Sequence, residues 1–159
     1  MKQKIIKKWI FILLGFLWMI PDGRAITVSV TGNWTLVIDT PDLIAGPGSD
    51  FNPQYLSAVD QVIVAVSSTG KAWAVSIEGA FTYWHGDLSL DVHRTSEGSG
   101  SGTISGGTGW QQVTTSSQQF FDGSKRRTDV NVQYRLNGMS VQVPPDTYSG
   151  TITYTVVET

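Results

Sequence analysis

Asp129-Val130-Asn131-Val132-Gln133-Tyr134-Arg135-Leu136 alternates polar and apolar residues without a break. Successive side chains of an extended strand point to opposite faces, so this stretch has one greasy side and one wet side. The same period of two recurs toward both ends of the chain. Ile26, Val28 and Val30 alternate with Thr27, Ser29 and Thr31. Val62, Val64 and Val66 do so within residues 60–67, and Trp73, Val75 and Ile77 within 71–78. Leu88, Leu90 and Val92 are set against Asp87, Ser89, Asp91 and His93, and Ile152, Tyr154 and Val156 mark a last strand over 151–158. Trp34-Thr35-Leu36-Val37-Ile38, after a Gly32-Asn33 turn, reads as one more. Seven to nine short strands separated by Gly, Pro, Asn and Ser turns predict an all-β fold, an antiparallel β-sandwich.

The connections carry their own expectations. Ser68-Thr69-Gly70 predicts a hairpin between its flanking strands. Residues 40–53 hold three prolines and two glycines and read as a long crossover between sheets. One helical turn is expected at 54–59, because Pro53 presets the dihedral of a first helical position. Residues 97–109 contain six glycines and almost nothing to bury, the composition of a mobile surface loop.

Composition narrows the function classes. Charged residues make up 15% of the 159, below the roughly 25% of an average soluble domain, which argues against a coiled coil. Without cysteine there is no disulfide, thiolate metal site or cysteine nucleophile. Lys2, Lys4, Lys7, Lys8 and Arg24 stand around an uncharged run over 9–20, followed by Pro21 and Gly23-Arg24-Ala25. The run is shorter than the roughly 20 residues of a bilayer-spanning helix, so residues 1–25 read as a secretory signal cleaved after Ala25 rather than as a retained anchor. Residues 26–159 then form a single domain, secreted to the periplasm or cell surface.

Five of the eleven basic residues and one of the thirteen acids precede residue 26, which leaves six against twelve and a net charge of about −6. That balance disfavours nucleic acid and anionic lipid, and no stable membrane insertion is expected after cleavage. Lys125-Arg126-Arg127 reads as a solvated hairpin tip.

The inventory for catalysis is thin, and an enzyme is not expected. His85 and His93 would lie about 27 Å apart on one extended strand; Gly86 allows His85 to fold back, but further ligands are lacking, so no metal site is expected from them. Asp87 and Asp91 read as solvated. Asp39, Asp42 and Asp50 offer oxygen ligands of the kind calcium takes, without the dense Asp and Gly spacing of calcium loops. The glycine-rich stretch lacks the Gly-Lys-Ser/Thr ending of a phosphate cradle, so no cofactor is implied. Trp34 and Trp73 read as core. Tyr83, Trp84 and Trp110 lie near turns and offer a stacking platform for a sugar ring.

The two terminal strands fall where sheet edges are easily placed, and neither has a central proline or an inward lysine to blunt it. This points to assembly by strand addition. The ending Val143-Pro144-Pro145-Asp146-Thr147-Tyr148-Ser149-Gly150-Thr151-Ile152-Thr153-Tyr154-Thr155-Val156 resembles the last strands of spore coat U and related secreted β domains, which are similar to chaperone-usher pilus subunits. The resemblance implies an incomplete immunoglobulin-like sandwich whose groove is filled first by a periplasmic chaperone and then, at an outer-membrane usher, by a neighbour's amino-terminal strand. Ile26, Val28 and Val30 would be the donor residues, and Ile152, Tyr154 and Val156 the acceptor edge. The family commonly has cysteines near its first strand, and this chain has none. The expected function is a secreted, non-enzymatic structural subunit of a bacterial surface fibre or coat; the alternative is an extracellular carbohydrate-binding module.

Overall fold

The alternating stretch around Val132 becomes the axis of the larger of two antiparallel sheets in the computed structural model, which describes residues 26–159. The expected export signal lies outside the described residues. Ten strands form: β1 Thr27–Thr31, β2 Gln54–Leu56, β3 Val62–Ser67, β4 Ala72–Thr82, β5 Ser89–Arg94, β6 Ile104–Gly106, β7 Gln111–Gln112, β8 Gln118–Ser124, β9 Arg127–Asn137 and β10 Ser149–Glu158. The larger sheet runs β1-β3-β9-β5-β7, with β2 continuing the line of β3 along β9; the smaller runs β10-β4-β8-β6. Three of these strands are only two or three residues long, which takes the total past the seven to nine expected.

The core lies between the sheets. Val62, Val64 and Val66 of β3 and Val130 and Val132 of β9 face Trp73, Val75 and Ile77 of β4, all essentially inaccessible to water. Burying each such side chain is worth about 1.5–3 kcal/mol. Trp73 also satisfies its indole N–H, which donates to the Lys125 carbonyl at 2.7 Å.

Among the described residues no strand pairs with its immediate successor. The expected hairpin at 68–70 is therefore an arch: β3 lies in one sheet and β4 in the other, so the chain packs their two apolar faces against each other instead of bonding the strands edge to edge. The Lys125-Arg126 turn is a second arch, from β8 to β9. Lys125 and Arg126 are exposed there, but Arg127 is buried and donates from Nη2 to the Gly102 carbonyl, so the three do not form one solvated tip.

Other expectations are also corrected. Residues 54–56 are strand, because Asn52 Oδ1 takes the Gln54 N–H in a turn and the rim of β9 beyond β3 is free to pair. Residues 40–53 do not cross between sheets. They leave and rejoin the larger one, through a 3-10 turn at Thr40–Asp42 and a bridge between Leu43 and Phe51. Residues 97–109 are pinned rather than loose. Arg94, itself buried, donates from Nε to the Gly106 carbonyl at 3.0 Å and from Nη1 to the Ser96 carbonyl at 2.8 Å, and β6 pairs with β8. The glycines serve close packing: a Cβ on Gly102 would run into the Ser124 carbonyl. Finally, residues 32–39 belong to no strand.

Candidate functional site: the free rim of β10

β10 is the outermost strand of its sheet, bonded to β4 along ten consecutive residue pairs from Ser149 opposite Thr82 to Glu158 opposite Trp73. Its other rim has no partner strand among the described residues. The register runs without a bulge, and no charged residue or proline occurs between Ser149 and Val157. Glu158, at the end, is held by Lys71 at 2.6 Å. Of the expected acceptor residues, Tyr154 is buried, while Ile152 and Val156 are partly buried against the core.

The expected donor residues lie on the neighbouring rim. β1 is bonded to β3 of its own chain, Thr27 opposite Ser67 and Thr31 opposite Ile63. Ile26 and Val28 pack on the chain's own core, and Val30 is 41% exposed. β1 touches β10. Because the start of β1 and the end of β10 both lie by the arch at 68–70, the two strands run in opposite directions along one side of the sandwich.

Beyond the end of β1 that side opens into a cleft of about 1090 Å³. Trp84, Leu88, Leu90, Leu136, Met139 and Ile152 supply apolar walls, and among the described residues Asp39 and Asp146 are the charged ones lining it. Residues 33–38 lie along the cleft. Trp34 stacks on Tyr134 with ring centroids 6.4 Å apart, and the Asn33 carbonyl accepts from Gln61 Nε2. No other hydrogen bond reaches the backbone of 33–38 among the described residues.

The three aromatic residues expected to form a sugar platform are not assembled into one. Tyr83 stands 78% exposed with φ of 53°. Trp84 turns into the cleft, its ring 4.7 Å from Phe81 and its N–H donating to the Leu88 carbonyl at 2.8 Å. Trp110 instead covers the outer face of the larger sheet, its ring 3.9 Å from His93 and 4.3 Å from the Arg135 guanidinium. Arg135 grips Asp91 Oδ2 through Nε at 3.1 Å and Nη2 at 2.5 Å, and Asn137 donates to the same oxygen at 3.0 Å. Asp91, expected to be solvated, is buried by these partners. His93 meets Gln133 at 3.0 Å. The alternation signalled that these residues share the outer face; it carried no sign that they would bond one another.

No family model matches the chain. Neither the curated proteins nor the solved structures give a match. The site is therefore read from its own chemistry. Among the described residues no three of His, Asp and Glu come together as metal ligands. Asp42 accepts the Asp39 N–H and so caps its own turn, whereas Asp50 takes the N–H groups of Phe51 and of the distant Val141 and ties the two segments together. His85 leans on Asp87 at 3.6 Å. What the arrangement offers chemically is a row of unpaired backbone donors and acceptors beside an apolar hollow.

Proposed function

We propose that the chain is an exported, non-enzymatic structural subunit of a bacterial surface fibre or coat, and that it assembles by β-strand addition at the free rim of β10. The observation that carries this reading is that rim: ten residues long, unbulged, free of proline and inward charge, and opening beside an apolar cleft. An unprotected rim of this length templates another strand, and soluble monomers ordinarily blunt theirs. Kin subunits are the partners, with a periplasmic chaperone and an usher as the carriers that the resemblance of the chain's ending implies.

Proline scanning of the rim tests it. Neighbouring residues of a strand send their N–H groups to opposite sides, so of Thr151→Pro and Ile152→Pro one removes a bond to β4 and the other removes only a donor facing outward. The outward substitution leaves a folded monomer and abolishes polymers seen by size exclusion and electron microscopy. Polymers that persist in both variants overturn strand addition at β10.

A second reading, glycan binding, draws on Trp110. Arg135 spends Nε and one amino group on Asp91 and keeps donors beside the indole, the pairing of ring and polar group that a sugar uses. Glycan-array binding lost in Trp110→Ala, with the fold intact, supports it; an array silent for the native chain refutes it.

A further inference from the structure

Residues 33–38 have the sequence of a strand and the surroundings of one, but none of its bonds. Trp34, Leu36 and Ile38 alternate with Thr35 and Val37, and the segment lies in the cleft that also exposes Ser149, Gly150, Thr151 and Ile152 of β10. Val37 is 75% exposed. The segment is held by Trp34, which stacks on Tyr134 and packs on the core, by the partly buried Ile38, and by the Gln61 bond to the Asn33 carbonyl. It joins β1 through Gly32, whose φ of 123° belongs to glycine and where a Cβ would run into the Gln61 carbonyl.

We propose that residues 33–38 are the chain's own plug: a removable occupant that shields the apolar cleft beside the β10 rim until an incoming strand displaces it. The proposal rests on strand addition at that rim. Removal is favourable because the plug makes no backbone ladder, whereas a strand bonded to β10 gains one and still fills the apolar hollow. Trp34 and Ile38, both partly buried, cover part of the apolar surface before assembly, while Leu36 and Val37 stay exposed. Charge selects the newcomer. Among the described residues the charged ones of the cleft are Asp39 and Asp146, so an acidic strand is repelled. Residues 26–38 of a second copy carry no charge at all.

The probe is a fluorescent synthetic peptide with the sequence of residues 26–38, and the readout is its capture rate by the folded full chain, followed by anisotropy. Trp34→Ala removes the aromatic stack and raises the rate about fivefold. Gln61→Ala cuts the tether to Asn33 without touching the buried core and raises it about threefold. In the captured state the amides of 149–157 gain protection from hydrogen exchange. If Trp34→Ala impairs folding, Gln61→Ala decides alone. Equal capture by the native chain and Gln61→Ala overturns the plug and leaves strand addition standing. No capture by either, at any peptide concentration, overturns strand addition and the plug together.

Discussion

The hydroxyls of Tyr134 and Tyr154 meet at 3.1 Å in the buried layer between the two sheets, one from β9 and the other from β10. This is a polar contact inside an otherwise apolar core, and it ties the strand with the free rim to the axis of the opposite sheet. Among the described residues each hydroxyl has the other as its side-chain partner, so removing one strands the other. Tyr154→Phe should cost about 1–3 kcal/mol by urea denaturation, and the double Phe variant should recover much of that loss. A double variant as weak as the sum of the singles would contradict this pairing.

Burial raises the pKa of both tyrosines above the ordinary value of 10.0, and the Tyr134 phenol pushes that of Tyr154 in the same direction. A group whose folded pKa lies above its unfolded value gives stability that is complete below the unfolded pKa and is lost as pH rises toward the folded one. The urea midpoint should therefore hold up to about pH 9.5 and fall above about pH 10, and Tyr134→Phe with Tyr154→Phe should flatten that alkaline slope.

Arg94 holds the glycine-rich stretch by its carbonyls. Arg94→Met keeps the aliphatic stem and removes two charge-assisted bonds, so it should cost about 2–3 kcal/mol. Limited subtilisin digestion should then cut within 97–109 faster than in the native chain. Unchanged cleavage would mean that β6, the Ser99–Thr128 bridge and the Arg127 bond to Gly102 secure the segment without the Arg94 side chain.

Gly123 lies against the core tryptophan. A Cβ there would stand 2.6 Å from Trp73 Cη2 and 2.5 Å from the Thr103 carbonyl oxygen. Gly123→Ala should cost about 1–3 kcal/mol, the usual range for overpacking, and lower the melting temperature; Gly86→Ala, where a Cβ meets nothing within 4 Å, serves as the silent control.

The Asp91–Arg135 pair is largely shielded, with 11% and 23% of the side chains exposed. Asp91→Ala leaves a guanidinium without its partner and should cost about 3 kcal/mol, whereas Asp91→Ala with Arg135→Met should cost less than that single change. Thermal unfolding of the three chains distinguishes the two outcomes.

The larger strands were legible because one face of each is buried, and residues 130–136 read correctly for that reason. β8 was not, because a bulge opposite Val75 and Ser76 turns both Phe120 and Phe121 into the core and breaks the period of two. The segment 34–38 has the period but not the partner, and only the tertiary arrangement decides that. The turn signals at 68–70 were read as a hairpin since consecutive strands usually pair; here they change sheets. Of the candidate site, the sequence marked Ile152, Tyr154 and Val156 by alternation. It was silent on the cleft, which is assembled from residues as far apart as Phe51, Leu90 and Met139.

The arches between strands have a kinetic meaning. Among the described residues no strand is bonded to its successor, so each ladder waits for a segment beyond the next strand. Among the described residues β4 is bonded to β8 and β10, so the smaller layer closes only once 149–158 have docked on 73–82. Such a chain folds slowly, and the closing of its smaller layer is a late event.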